Sequence, residues 1–314
     1  MRRVRIKIWG KGEYAYKAGF GFIPFINGYL HETDENRPGM IIAPGGGYVF
    51  LSPVEADLIA KKFYNLGFQV FVCVYTVNTL LTYPLKKQPM RDLAKTVQIV
   101  RNKSGEWKVD KEKIVVFGAS AGGHVTGSLS VHFDDLNIDD CRPDAVILAY
   151  PVVSTEPELI HKPSFKALLG ERPDREEQEY MSIEKQVSTD MPPCFIWHTM
   201  TDSEVSVQNS IVLAQACFRS GVLTACHIFS EGDHGMALAD SSIESKEGEG
   251  NYVFEQQKKI EEVIKNKKIE ITEEQRNSIE RVLSLEKPEQ TCNENKQISR
   301  WTDLVMDWLH SFLL

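Results

Sequence analysis

Short β-rich apolar runs that alternate with helix-patterned segments are the feature that most limits how this 314-residue chain can fold. The runs at 40–43, 70–75, 113–118, 145–150, 194–199 and 224–230 are mostly continuous in apolar residues. Strands buried on both faces of a parallel sheet have that composition. Residues 3–9 and 23–31 read as extra strands at an antiparallel edge. Between the runs, 53–66 spaces Val54, Leu58, Ile59 and Phe63 at helical intervals behind Ser52 as N-cap. The segment 88–102 carries Leu93, Val97 and Val100 on one face, 122–131 and 207–220 follow the same logic, and Gly221 is a helix stop. A last helix over 301–313 presents Leu304, Val305, Trp308 and Leu309. Alternation of this kind predicts an α/β fold, a mostly parallel sheet with right-handed crossovers and helices on both faces.

Residues 241–300 break the rhythm, being polar and rich in Glu and Lys. Two helices fit there. One, over 252–267, aligns Val253, Ile260, Val263 and Ile264; the other, over 272–285, opens with Thr272 and Gln275 as a capping box and aligns Ile279, Val282 and Leu283. The stretch is expected to be an insertion in a single domain spanning 1–314. It reads either as a solvated helical hairpin or as a cap or homo-oligomer contact beside the site.

The formal charge of −8 comes without a basic stripe that could displace counterions from nucleic acid. The cations at Arg2, Arg3, Arg5 and Lys7 alternate with apolar residues, as on a half-exposed strand. No apolar run approaches the roughly 18 residues of a membrane span, and the first residues lack the apolar core of a signal peptide. A cytoplasmic protein without nucleic-acid or membrane partners is the expectation. Of the six cysteines, Cys73, Cys194 and Cys226 lie in apolar runs and are expected to be buried, reduced thiols; Cys141, Cys217 and Cys292 complete the set, with no zinc-like spacing.

The segment KIVVFGASAGGHVTGSLS contains Gly118-Ala119-Ser120-Ala121-Gly122 between an apolar strand run and a helical run. A G-x-S-x-G match alone is weak, but in a strand–turn–helix setting it is a nucleophile elbow. The turn must be tight enough to lift the Ser120 hydroxyl above the sheet, so Gly118 and Gly122 carry no side chain that would collide. The segment lacks the Lys-Ser/Thr ending of a phosphate loop and G-x-G-x-x-G spacing.

A serine hydroxyl needs a base. Among eight histidines, His234 sits between Gly232 and Gly235 in a loop beyond a late strand, which suits that task. His198 ends an apolar strand and is expected to be packed, His227 is mid-strand, and His124 is on the elbow helix, facing inward or lining the site. His31, His132, His161 and His310 have no comparable setting. The base needs an acid to fix its tautomer. Asp202, just past the 194–199 run, fits best, with Glu204 as nearest competitor and Asp233 too close to the base in sequence. The order Ser120, Asp202, His234 is the one this elbow type uses. Pro44-Gly45-Gly46-Gly47-Tyr48 follows an early strand and exposes backbone N–H groups, so Gly46, Gly47 and Ala121 are the expected oxyanion donors. Tyr48 and Tyr75 are candidate walls of the substrate pocket, with a core role an equal reading for each.

These segments together resemble α/β-hydrolase esterases, in the branch related to bacterial acetyl xylan esterases and hormone-sensitive-lipase-like carboxylesterases. The resemblance runs over most of 40–238 and includes APGGGY, KIVVFGASAGGH, RPDAVILAYPV, PPCFIWHTMTDSEVSVQNS and HIFSEGDHGMALAD. The chain departs from the hormone-sensitive-lipase pattern at Pro44, where that group has His. The resemblance implies the α/β-hydrolase fold and hydrolysis of short acyl esters, often acetyl groups on sugars, with a small-molecule or oligosaccharide ester as substrate. The expected two half-reactions, through an acyl-enzyme on Ser120, call for no cofactor and no metal. Two rival readings are a serine peptidase of the prolyl-oligopeptidase type, for which no added propeller is visible, and a non-catalytic binding protein on the same scaffold.

Overall fold

The apolar runs lie side by side in an eight-stranded sheet. A computed structural model describes residues 1–239, 250–286 and 295–314. Its strands are β1 (Arg2–Lys7), β2 (Phe25–Leu30), β3 (Arg37–Ala43), β4 (Gln69–Val74), β5 (Val109–Ala119), β6 (Ala145–Ala149), β7 (Cys194–Thr199) and β8 (Thr224–Phe229). Their spatial order is β1-β2-β4-β3-β5-β6-β7-β8. The β1–β2 and β2–β4 pairs are antiparallel; every other pair is parallel. The two edge strands read from the sequence are therefore β1 and β2. The helices are α1 (Pro53–Asn65), α2 (Gln88–Asn102), α3 (Ser104–Trp107), α4 (Ala121–His132), α5 (Lys162–Leu169), α6 (Arg175–Met181), α7 (Ile183–Gln186), α8 (Gln208–Arg219), α9 (Glu255–Lys265), α10 (Glu273–Ser284) and α11 (Trp301–His310). This is the α/β-hydrolase fold.

Topology places the site. From β3 the chain crosses through α1 to β4, then returns through α2 and α3 to β5 on the other side of β3. The strand order reverses between β3 and β5, and the loops beyond their carboxyl ends diverge to leave a crevice. Ala43 pairs with Gly118, so the glycine loop after β3 and the turn after β5 leave the sheet side by side. All residues of β4, β6 and β7 are buried. Trp301 of α11 packs its ring 5.5 Å from Phe117, 5.5 Å from Trp197 and 6.0 Å from Phe63 of α1, joining two helices over one face of the sheet.

Local rules account for the helix ends. Ser52 caps α1 by accepting from Glu55 N at 3.4 Å. Thr272 and Gln275 form a reciprocal capping box at α10. Of the 241–300 stretch, 240–249 and 287–294 lie outside the described residues, as does Cys292. In the described part, Gln256, Gln257 and Ile260 of α9 and Ile279 and Val282 of α10 are buried. The hairpin is thus docked on the body rather than surrounded by water. Its apolar contact is a small cluster of Leu80, Ile260 and Ile279. One thiol departs from expectation. Cys226 is exposed, because β8 is the sheet edge and one of its faces is open, while Cys73 and Cys194 are buried as expected.

Candidate active site

Backbone geometry lifts Ser120 out of the turn. The residue has φ 53° and ψ −119°, a conformation that L-residues rarely adopt and that costs roughly 1–3 kcal/mol. Its N–H donates to Ala149 O at 3.0 Å, and its carbonyl accepts from His124 N and Val152 N, so both neighbouring strand and helix hold it. The turn has no room for side chains beside it. A Cβ on Gly118 would come within 2.3 Å of Gly122 O, and one on Gly122 within 2.0 Å of Ala43 O. Gly123 is equally constrained, 2.9 Å from the Pro151 side chain.

The structure brings the three residues singled out by the sequence into one chain of hydrogen bonds. His234 Nε2 lies 2.8 Å from Ser120 Oγ, and His234 Nδ1 lies 2.7 Å from Asp202 Oδ2. The His234 loop is pinned from below. Thr199 Oγ1 and Thr201 Oγ1 donate to Gly232 O at 2.9 and 3.0 Å, and Trp301 Nε1 donates to Ala237 O at 2.9 Å. Asp202 comes from the loop after β7, and its side chain is wholly buried. Its second oxygen, Oδ1, accepts from Glu204 N and Val205 N, both at 2.9 Å. Glu204 therefore contributes its backbone, not its carboxylate, to this cluster.

Opposed forces set the charges. Burial works to raise the Asp202 pKa, but hydrogen bonds from His198 and His234 and from the Val205 amide outweigh it and hold the carboxyl well below the usual range. Burial works to lower the His234 pKa, but the Asp202 hydrogen bond and charge, with Glu55 and Glu204 adding to them, leave it above its ordinary value. The charged form of His234, an imidazolium, is thereby favoured.

His198 does more than fill the core. Its Nε2 faces two acceptors, Asp202 Oδ2 at 3.1 Å and Val205 O at 3.0 Å, so this nitrogen carries the proton. Its Nδ1 then accepts from Ser210 Oγ at 2.8 Å. Sequence alone predicts only packing here; the fold shows that β7 aims it at the same carboxylate. His161, which had no distinguishing sequence setting, stands near His234 and bonds Ser164 Oγ through Nδ1 at 2.8 Å.

Glu55 escaped the sequence reading altogether. It lies in the first turn of α1 and is buried beneath the site. Oε2 accepts from Gly45 N at 2.7 Å and Oε1 accepts from Tyr150 O–H at 2.8 Å. The Tyr150 ring in turn meets the His234 ring edge-on at 4.9 Å. Burial pushes the Glu55 pKa up, and its two hydrogen bonds offset part of that. In sequence it is an acidic residue in a helical first turn, a position that normally serves the helix dipole, and no local pattern distinguishes it.

In the glycine loop, Gly46 and Gly47 have φ of 125° and 61°. Val49 N and Phe50 N both donate to Gly46 O, which closes the turn. Among the described residues, the N–H groups of Gly46, Gly47 and Ala121 donate no hydrogen bond, and Ala121 opens α4 directly after Ser120. Tyr48 and Tyr75 do not wall a pocket. They are 1% and 0% exposed, because both rings turn down beneath the loop. Tyr48 O–H donates to His124 Nδ1 at 2.7 Å, and Tyr75 O–H donates to Pro44 O at 2.5 Å. His124 is neutral, its Nε2 donating to Met181 O and burial pushing its pKa down to about 4. Both tyrosines thus buttress the loop from inside. A hydroxyl on an imidazole on a buried carboxylate, beside free N–H groups, is an arrangement able to attack a carbonyl and hold the oxyanion that results.

Comparison with known proteins places this geometry. The chain is 41% identical over 263 residues to a Butyrivibrio fibrisolvens protein named endo-1,4-beta-xylanase B, an overlap of 82% of this chain and 41% of that protein. It is 28% identical over 214 residues to an acetylxylan esterase of Xylanibacter ruminicola, covering 67% of this chain and 43% of that protein. The chain therefore spans less than half the length of these two curated relatives. Among solved structures, an acetyl ester-xyloside bifunctional hydrolase from Caldicellulosiruptor lactoaceticus superposes with a TM-score of 0.70 at 32% identity, over 82% of this chain and 96% of that one. Among the described residues, no helix is long and apolar enough to cross a membrane. The BD-FAE family model matches residues 28–217, and the chain belongs to that family, within the α/β-hydrolase superfamily.

Proposed function

We propose that the chain hydrolyses short acyl esters, chiefly acetyl esters of xylo-oligosaccharides, through an acyl-enzyme on Ser120. The observation that carries this reading is the hydrogen-bonded series Ser120 Oγ, His234 Nε2, His234 Nδ1, Asp202 Oδ2. Support for the substrate class comes from relatives whose names specify acetyl groups and xylan or xylosides.

In the first half-reaction His234 Nε2 takes the proton of Ser120 as Oγ bonds to the ester carbonyl carbon. The carbonyl oxygen becomes an oxyanion, received by the N–H groups of Gly46, Gly47 and Ala121. The carbon–oxygen bond to the alcohol breaks, and the alcohol leaves with the proton from Nε2. In the second, water attacks the acyl carbon while Nε2 takes its proton; the bond to Oγ breaks, and Ser120 recovers that proton as the carboxylic acid departs. Asp202 keeps His234 in the tautomer with its proton on Nδ1, which leaves Nε2 free to accept. Each oxyanion donor contributes about 3–4 kcal/mol of transition-state stabilisation.

The test is acetate release from acetylated xylo-oligosaccharides, run beside p-nitrophenyl acetate, with a fluorophosphonate probe to label the nucleophile. Adduct on Ser120 and release of acetate from both substrates are expected. Labelling at another residue overturns the nucleophile; hydrolysis of p-nitrophenyl acetate without release from the sugar overturns the substrate class.

A further inference from the structure

Beside the Ser120 site runs a cleft of about 1040 Å³, bounded on one side by the glycine loop and residues 160–178 and on the other by α10. Ligand pockets span about 300–1,000 Å³, so this one has room for more than one sugar ring. We infer that it is the subsite for the glycan portion of the ester, a neutral xylo-oligosaccharide chain extending from the acylated sugar, and that α10 is its specificity wall. The inference rests on the sugar-ester reading of the Ser120 site.

Position is the first argument. Val49, which lines the cleft, belongs to the turn closed on Gly46 O, and so is continuous with the proposed oxyanion loop. Phe165, another wall, follows Ser164, whose Oγ lies 3.9 Å from a Cβ placed on Gly47. The inner end of the cleft is therefore the edge of the catalytic loop.

The second argument is how α10 is held there. Gln257 of α9 donates through Nε2 to Thr79 Oγ1 at 3.0 Å and to Val49 O at 3.3 Å, tying the helical hairpin to the glycine loop itself. Gln256 bonds both backbone groups of Val77, accepting from its N at 3.0 Å and donating to its O at 2.6 Å. Gln275 Nε2 donates to Leu80 O at 2.9 Å. Gln256, buried and bonded through both ends of its amide, fixes orientation as well as contact. With Ile279 and Val282 turned to the body, helical geometry points Glu274, Asn277 and Arg281 away from it, along the cleft, while Ser278 Oγ at the cleft edge donates to Thr79 O at 3.4 Å.

Chemistry is the third. Three cations and two carboxylates line the cleft, so no strong field of either sign selects an ion. Amide, hydroxyl and guanidinium groups on one wall face apolar Val49 and Phe165 on the other. Pyranose chains, with hydroxyl edges and C–H faces, match such a pair of walls. The family match ends at residue 217, and α10 lies beyond it, so this wall is not part of the matched region.

The experiment compares kcat/KM for singly acetylated xylotetraose with that for acetylated xylose, in wild type and in an Asn277→Ala/Arg281→Ala double variant. Both residues are exposed, and melting curves check the fold. Wild type is expected to prefer the longer ester, and the variant to lose about tenfold of that preference through KM, as two lost hydrogen bonds require. Asn277→Trp, which adds bulk on the α10 wall of the cleft and removes no bond that the fold uses, is expected to lose it as well. Equal kcat/KM for the two esters in wild type, or a length preference that survives both variants, overturns the inference while leaving the esterase reading intact. Failure of wild type to release acetate from either sugar while it cleaves p-nitrophenyl acetate overturns the sugar reading and this inference together.

Discussion

His198 and His234 converge on a single oxygen atom, Oδ2 of Asp202, at 3.1 and 2.7 Å. One imidazole belongs to the proposed proton relay, while the other is a fixed strut from β7 whose far nitrogen is held by Ser210. Its role is to position the carboxylate. His198→Ala removes a donor from a buried charged group, a loss of roughly 1.5–3 kcal/mol, and frees Asp202 to shift. Misplacement of about 1 Å costs on the order of 10²-fold, so kcat for p-nitrophenyl acetate is expected to fall by about that factor with KM nearly constant. A variant that melts earlier yet keeps its kcat reduces His198 to a packing residue.

The base should show its surroundings in the pH profile. As the proposed base, His234 must be neutral to accept the serine proton, and its pKa lies above the ordinary 6.5. The acid limb of kcat/KM is therefore expected to have an apparent pKa above 6.5. In Asp202→Asn the charge and hydrogen bond that raise it are lost, so any residual activity should have its limb shifted toward lower pH. The linkage sign follows from the same shift. Stabilisation from the protonated imidazole is complete below the unfolded value and disappears as pH rises through the raised folded value. A wild-type limb at or below 6.5 contradicts the assignment of His234.

Glu55 links the two halves of the site, the Gly45 amide on one oxygen and the Tyr150 hydroxyl on the other. Glu55→Leu keeps the approximate size but removes both acceptors. The Gly45 N–H and the Tyr150 O–H then lose their partner, and the loop carrying the proposed oxyanion donors is displaced. The expected result is a fall in kcat of about 10²-fold, the scale of losing one donor, with little change in KM. An unchanged kcat would mean that Glu55 serves folding alone.

Much of the fold was legible because its cues are local and repeated. Continuous apolar runs mark β3 to β7, and helical spacing marks α1, α2 and α8. Ser120 stood out because the elbow compresses strand, turn and helix into a few residues. Asp202 and His234 were readable from their place after late strands. What escaped depends on distant chain segments meeting. Glu55, His198 and His161 acquire meaning only when α1, β7 and the start of α5 reach the same crevice. Tyr48 and Tyr75 read equally as pocket walls or core, because an aromatic ring can face either way and local sequence does not encode which; the fold turns both inward. The helices of 151–193 leave no readable pattern in the sequence, since α5, α6 and α7 have 8, 7 and 4 residues, too short for a sustained period.

Two neighbouring glycines in the loop should behave differently. At Gly46, with φ 125°, a Cβ would lie 2.3 Å from Phe50 O, a backbone atom that cannot move without opening the turn. At Gly47, with φ 61°, the nearest contact is Ser164 Oγ at 3.9 Å, an ordinary separation. Gly46→Ala is expected to abolish activity and lower the melting temperature sharply. Gly47→Ala keeps its N–H and costs only the left-handed penalty of roughly 1–2 kcal/mol, so most activity should survive. Equal loss in both variants would show that loop conformation, and not the clash at Gly46, governs the outcome.

Strain at the proposed nucleophile gives the last prediction. Ser120 is held at φ 53° and ψ −119° by its bonds to Ala149, His124 and Val152. Ser120→Ala removes the hydroxyl and keeps the Cβ, hence keeps the strain; its melting temperature should match wild type while kcat falls by at least about 10⁴-fold. Ser120→Gly removes hydroxyl and Cβ together. Relief of roughly 1–3 kcal/mol of strain outweighs the extra backbone entropy of glycine, roughly 0.5–1 kcal/mol. The Gly variant is therefore expected to be inactive yet to melt higher than the Ala variant, by a few degrees. Both substitutions destroy the same chemistry, so any difference in melting between them reports the backbone alone. A Gly variant that melts below the Ala variant would mean that the turn, as folded, holds no strain for the serine to bear.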